Sequence, residues 1–306
     1  ASADLWPRFA QDLLAETTID VGYAQPGGLT LCMSDEELEQ RARLLDRMRL
    51  DTPGGYDFRM LDRQDLKQLL PRVGDAVAGA SYCPHDGDLS PLLLLRALHR
   101  SFGTQVHYRP GAAVTAIERR DGVFHLQCGS DVVIAPKVVL AAGLGNARLG
   151  PMVGLKAPVM PLRGQILVTE KLGPFLNMPT MHVRQTEAAT VLIGDSHEGV
   201  GFDVAATVPT TRSIAQRALA QFPFLGETQV IRAWGALRVM TPDGYPIYEQ
   251  SKSHPGAFLV TCHSGVTLAA VHALRLAPAL ARGELPSELA LFRAERFEER
   301  HDLPAQ

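Results

Sequence analysis

Gly256-Ala257-Phe258-Leu259-Val260-Thr261-Cys262-His263-Ser264-Gly265-Val266-Thr267-Leu268 runs on as AAVHALRLAPALARG. An apolar run of strand type gives way to a short polar turn, and the turn to a long apolar helix. The helix starts among small residues, so its first N–H groups have no partner within it. Such a start carries about half a positive charge and accepts anionic groups. Ser264 and Gly265 leave room for a flat ligand against the backbone. An ordinary capped strand-to-helix crossing reads the same way, so the stretch takes its meaning from the turns that accompany it.

The nearest such turn lies in Lys137-Val138-Val139-Leu140-Ala141-Ala142-Gly143-Leu144-Gly145-Asn146-Ala147-Arg148-Leu149-Gly150. A hydrophobic strand enters a glycine turn, but Arg148 stands where a third glycine would complete GxGxxG. Ala142, Gly143 and Gly145 remain candidates for close backbone approach to a ligand. A ligand-free strand-to-helix turn fits equally.

Composition narrows the class. The 306 residues suffice for one large or two moderate domains, and 46% hydrophobic content is that of a globular protein. A net charge of −3 shows no nucleic-acid footprint. PLLLLRAL is too short for a membrane span and is interrupted by Arg96. ASADLWPRFAQDLLAE lacks the pattern of a signal peptide. Cys32, Cys83, Cys128 and Cys262 form no CxxC pair, which argues against a zinc or iron–sulfur site and for a reducing cytoplasm.

Along the chain, residues 4–16 read as an amphipathic helix and 22–31 as a strand with a glycine kink. Ser34 caps a helix to Leu50, with Glu37 completing a capping box. Leu61–Leu70 is a short helix stopped by Pro71. Ser90 and Pro91 open a helix over 91–102. Strands follow at 105–108, 113–119, 123–127, 137–142 and 158–170, then a hairpin over 180–194 turning at Gln185–Ala188. A helix over 211–221, a strand over 229–239 and a terminal helix over 291–300 complete the pattern. Helices and strands mix without strict alternation, as in an α/β layer with a largely antiparallel sheet inserted.

Four segments, taken in order, resemble the flavin amine-oxidoreductase family of D-amino-acid oxidase, glycine oxidase and sarcosine oxidase. VVLAAGLGNARL is similar to its "VVxAAGxWS" turn, Pro161-Leu162-Arg163-Gly164-Gln165 to its "PxRGQ" strand, WGALRVMTPDGYPI to "GxRPxTPDGxPxIG", and the opening stretch to "xxGHGxxGxxLAP". The wording TCHSGVTLAAVHA is further similar to flavoprotein subunits of D-hydroxyproline dehydrogenases and opine oxidases. Val239 departs from the family proline, and Cys262 from the first glycine of the GHG turn. The family opens with a strand, GxGxxG, a helix and an acidic strand end, and these 306 residues include no such unit. The resemblance implies that it lies ahead of Ala1.

The expected architecture is therefore α/β, an α+β mix. An FAD-binding Rossmann-like domain lacking its first βαβ unit would comprise residues 1–20, 81–157 and 241–306. A substrate domain with a mainly antiparallel sheet would comprise 21–80 and 158–240.

FAD is the implied cofactor, with no metal. Val114, Ala142, Gly143, Gly145, Gly235, His263, Ser264, Gly265, Val266 and Thr267 are its implied contacts. Val114 reads on periodicity alone as an inward strand valine. Gly265, Val266 and Thr267 would present N–H groups to the flavin's pyrimidine edge, where reduction gathers negative charge.

Arg238 is the expected clamp for a substrate carboxylate, since a guanidinium makes two parallel charge-assisted bonds. A salt bridge to Asp243 is the competing role. His263 is the second catalytic candidate, against a helix-capping role. Arg163 reads as structural. His182, Arg184 and His197 would roof the pocket, and Tyr245 and Tyr248 are aromatic candidates. Asp195-Ser196-His197-Glu198 tempts as a metal cluster, but neighbours on a strand point to opposite faces.

The implied reaction oxidises an amino acid or secondary amine at the carbon bearing nitrogen, D-hydroxyproline or an opine among the candidates. Other subunits of a multi-subunit dehydrogenase are the implied partners, with a peripheral link to the inner membrane through an electron-transfer partner. An O2-using D-amino-acid or glycine oxidase is one alternative. A non-catalytic subunit or fragment without FAD is another.

Overall fold

Helix α1 (Ser2–Thr17) buries Trp6, Phe9 and Leu13 at helical spacing along one face. A computed structural model of the protein describes residues 2–52 and 54–297. After α1 come β1 (Gly28–Cys32), α2 (Asp35–Asp51), β2 (Arg59–Leu61), α3 (Arg63–Leu69), β3 (Gly79–Cys83) and α4 (Pro91–Ser101). Ser34 Oγ accepts the Glu37 N–H at 3.2 Å, and the Glu37 carboxylate returns to the Met33 N–H at 2.7 Å. The expected capping box forms, displaced by one residue on its return arm. Ser90 caps α4 with Pro91 at its first position.

Three small sheets follow. β4 (Val114–Arg120), β5 (Val123–Cys128) and β6 (Asp131–Ala135) make an antiparallel meander. β7 (Val138–Leu140) leads into the short helix α5 (Asn146–Leu149) through a 3-10 turn over Gly143–Gly145. β8 (Met160–Lys171), β9 (Val183–Gln185), β10 (Thr190–Ile193) and, after α6 (Val208–Gln221), β11 (Val230–Met240) form an antiparallel sheet ordered β11-β8-β10-β9. β12 (Ile247–Gln250) and β13 (Ala257–Thr261) join β7 in the order β12-β13-β7, with β13 parallel to β7. β13 feeds α7 (Gly265–Val271), which continues through a π turn at His272–Leu276 into α8 (Ala277–Arg282).

Separate apolar cores lie under these layers. Leu29, Leu66, Val77, Leu167, Val191 and Phe222 tie β1–β3 to β8, β10 and α6. Ile117, Phe124, Leu140, Ile247 and Leu259 join the meander to the β7/β13 sheet. Trp6, Phe9, Leu94, Ala97 and Ala270 pack α1, α4 and α7 together. Among the described residues, no helix is long and apolar enough to cross a membrane.

Several expectations need correction. The strand read over 22–31 forms only at Gly28–Cys32, because Gly22 and Gly27 adopt positive φ and turn the chain. Residues 105–108 leave a turn as irregular chain in place of a strand. Leu61 belongs to β2, and α3 starts only after the Asp62 cap. Strands β2, β3, β6 and β12 lie outside the sequence expectation. Over 291–297 the chain forms 3-10 turns where an α-helix was expected, and 298–300 lie outside the described residues.

Candidate active site

β7 and β13 run side by side, with Ala257 opposite Val138 and Leu259 opposite Leu140. Their carboxyl ends therefore deliver the turns at Ala142–Gly145 and Cys262–Ser264 to one edge of the sheet. The crevice outside the carboxyl ends of parallel strands is the place where open α/β sheets bind ligands.

At the second turn the Leu268 N–H bonds the Ser264 carbonyl at 3.0 Å. The N–H groups of Gly265, Val266 and Thr267 are left without partners in the helix. All three residues are exposed, and a Cβ on Gly265 would meet nothing within 4 Å. The Ser264 side chain makes no cap; its Oγ lies 2.8 Å from Nδ1 of the exposed His263. His263 is thus tied to its neighbour and does not cap the helix through its own side chain.

At the first turn Gly143 sits at φ +57°, and a Cβ there would lie 3.3 Å from Val239 Cγ2. The end of β11 therefore packs onto this turn, so the strand carrying Arg238 meets the sheet edge. Buried Asn146 holds the turn by accepting the Ala142 N–H at 3.0 Å, and its Nδ2 has no partner. Buried Thr261 Oγ1, just before the other turn, also lacks one. The Val114 carbonyl is taken by Arg148 Nη2 of α5 at 2.8 Å. Free N–H groups, an open glycine face and two orphaned polar atoms fit a flat polar group with an anionic edge.

The four-stranded sheet supplies the opposing wall. Arg238 pairs with Leu162, while Arg184, Leu192 and Val168 share one row. Leu162 and Val168 are an even number of residues apart on β8, so Arg184 and Arg238 rise from the same face. Both line a cavity of about 300 Å³ with Ile166, His182, Leu192 and Asp195. Burial and the Arg217 charge push His182 below the usual histidine range, so it is neutral at neutral pH.

Arg238 does not pair with Asp243. Its Nη1 donates to the Ser196 carbonyl at 2.7 Å and its Nη2 to Asp195. The guanidinium lies over Gly164, where a Cβ would come within 2.4 Å of Nη1. Asp243 instead binds Arg296 through two contacts at 2.8 and 3.0 Å. In the sequence Asp195 stands out only as part of an apparent metal cluster; the fold makes it the partner of Arg238.

The other face of β8 carries Arg163 and Gln165, both buried. Arg163 bonds Glu198 at 2.7 Å and Asp203 at 2.6 Å, while Gln165, Ser196 and Thr210 also bond Glu198. These donors, Arg163 foremost, pull the Glu198 carboxyl down to about 2. Arg163 is structural, as its position in the sequence suggested. Gly235 serves the same region, since a Cβ there would lie 2.7 Å from the Val204 carbonyl. Tyr248 is buried against His272, 2.7 Å from Nε2, while Tyr245 is largely exposed.

A second cavity of about 480 Å³ brings Val266 and Thr267 together with Trp6, Tyr23, Asp88 and Arg184. Arg184 spans the two walls, bonding Asp88 at 2.9 Å and the Leu89 carbonyl at 2.6 Å. The cavity thus reaches from the α7 N-terminus to the sheet that carries Arg238.

The sequence profile described as FAD dependent oxidoreductase (DAO) matches residues 1–279. The chain belongs to this family. It is an FAD-dependent oxidoreductase, and the paired turns at the sheet edge are accordingly read against FAD. An opine oxidase subunit of Agrobacterium tumefaciens (strain Ach5) is 43% identical over 299 residues, covering 97% of this chain and 81% of that relative. Hydrogen cyanide synthase subunit HcnC of Pseudomonas aeruginosa is 28% identical over 307 residues, covering 96% and 72%. The crystal structure of glycine oxidase from Geobacillus kaustophilus superposes with a TM-score of 0.87 at 26% identity, covering 95% of this chain and 80% of that one.

Proposed function

We propose that the protein oxidises an amino acid or secondary amine at the carbon bearing nitrogen, with the substrate carboxylate held by Arg238. The observation that carries this reading is the placement of Arg238 over Gly164 in a cavity walled by Ile166, Leu192 and Asp195. A guanidinium with a cut-back floor receives a planar carboxylate edge-on. When bound, FAD accepts hydride from the substrate carbon. The chain's part is positioning. Arg238 fixes one end of the substrate, and the apolar wall excludes water from the reacting carbon. Gly265, Val266 and Thr267 direct N–H groups to the cofactor's anionic edge, with His263 and Ser264 beside them. Ala142, Gly143 and Gly145 carry the backbone past its other portion, and Val114 is the remaining contact. Gly235 packs on the Val204 carbonyl in the Arg163 network and is removed from the cofactor contacts.

The division into a cofactor half (1–20, 81–157 and 241–306) and a substrate half (21–80 and 158–240) belongs to the same reading. So does assembly with other subunits, supported by the opine oxidase and HcnC relatives, each named as one subunit of its enzyme. The four free cysteines support a cytoplasmic location. The test is turnover of FAD-loaded protein on opines, cis-4-hydroxy-D-proline, D-proline, sarcosine and glycine, with O2 and with an artificial dye as acceptors. Oxidation of at least one carboxylate-bearing amine is expected. Flavin-loaded protein that oxidises none with either acceptor defeats the proposal.

A further inference from the structure

We propose that Asp195 selects substrates whose carboxylate is accompanied by a cationic nitrogen, taking that cation as the carboxylate displaces Asp195 from Arg238. This rests on Arg238 being the carboxylate clamp. Just past β10, Glu198 is bridged to Arg163 of β8 by paired backbone bonds at 2.9 and 3.0 Å. Ser196 and Glu198 turn inward, where the Gln165 N–H, Gln165 Nε2 and Arg163 hold them. Asp195 points away from this network, lining the cavity with Arg238 and facing His197. The buried network fixes where the Asp195 carboxylate stands.

That carboxylate already occupies the guanidinium. One oxygen pairs with Arg238 Nη2, and the other lies 3.5 Å from Nε2 of the exposed His197. The side chains of Arg238 and Asp195 keep 26% and 31% of their surface exposed, so the pair opens without unpacking a core. The remaining cation of the cavity, Arg184, is matched by Asp88.

A carboxylate ligand that takes Arg238 therefore replaces one acid with another and leaves Asp195 beside it. Two like charges at this spacing disfavour each other, and an anion without a cation is penalised. A ligand that also brings an ammonium or guanidinium restores both pairs. In effect the Arg238–Asp195 pair is complementary to a zwitterion.

Calorimetric titration of the FAD-loaded protein with three ligands tests this. They are 2-furoate (carboxylate only), D-proline (carboxylate with α-ammonium) and D-arginine (carboxylate with ammonium and a distal guanidinium). Asp195→Asn is predicted to tighten 2-furoate and weaken the cationic ligands, shrinking the preference for cation-bearing ligands roughly tenfold or more. Loss for D-proline and D-arginine alike identifies the α-ammonium as the partner of Asp195; loss for D-arginine alone identifies the distal cation. A preference that stays within about twofold of wild type overturns the proposal. Asp195→Ser serves if the asparagine variant does not fold. Arg238→Met separates this failure from that of the underlying reading. If Arg238→Met leaves 2-furoate binding intact, the clamp itself is wrong. If it abolishes 2-furoate binding while Asp195→Asn changes no preference, only the role of Asp195 falls.

Discussion

Adding one methyl group at Gly164 acts directly on the clamp. A Cβ there would lie 2.4, 2.5 and 2.6 Å from Arg238 Nη1, Nη2 and Cζ. Ordinary carbon contacts begin near 3.5 Å, so in Gly164→Ala the guanidinium must retreat by about 1 Å. It is the far end of a flexible side chain, so the fold tolerates the move. Its bonds to the Ser196 carbonyl and Asp195 do not survive it unchanged. A charge-assisted hydrogen bond contributes about 1.5–3 kcal/mol, so misplacing the clamp raises KM for carboxylate-bearing amines roughly 10- to 100-fold. The assay is steady-state kinetics with flavin content measured by absorbance and Tm by calorimetry. Retained flavin and near-native Tm with a raised KM are expected. An unchanged KM would refute the role of the Arg238 guanidinium over Gly164 as the substrate clamp.

The other consequences concern the shell around the site. Glu198 is lowered from 4.5 to about 2, so its pairing contributes stability above its ordinary value that is lost as pH falls toward 2. Glu198→Gln should remove the share of the acid-limb loss that comes from Glu198, so the variant loses less stability than wild type in urea unfolding as pH falls from about 4.5 toward 2; equal losses in both proteins would contradict this. Gly143→Val forces a branched side chain into a left-handed position against Val239. It should cost about 1–2 kcal/mol and reduce FAD retention on gel filtration, and full retention would count against the turn as a cofactor contact. Asp88→Asn weakens the Arg184 bridge between the two walls, and a partly exposed pair of this kind is worth about 1 kcal/mol or less in urea unfolding.

How far the sequence could be read depended on the range of the interactions. Helix starts were legible where the cap lies within three residues, as at Ser34 and Ser90. The two turns after β7 and β13 were legible because a strand, small residues and a helix follow in order. β3 was not, since Gly79-Ala80-Ser81-Tyr82-Cys83 has weak strand propensity and is held by pairing with β1 and β2 on either side. β6 does carry a local signal: Gly129-Ser130 closes a two-residue hairpin between Cys128 and Asp131. Asp195 lies 43 residues from Arg238, and nothing local announces the pair. The assignment of Asp243 to Arg238 followed proximity in sequence, whereas tertiary packing gave Asp243 to Arg296. Asp195 follows the end of β10 at Ile193, and only Glu198 beyond it is bridged to β8, so a strand reading of 195–198 did not extend to Asp195.

Arg238→Met tests the central claim most directly, because it removes the guanidinium and keeps much of the side chain's length. The account predicts flavin absorbance close to wild type and a KM for carboxylate-bearing amines raised at least ~50-fold. Wild-type KM in a fully flavin-loaded Arg238→Met protein would contradict it.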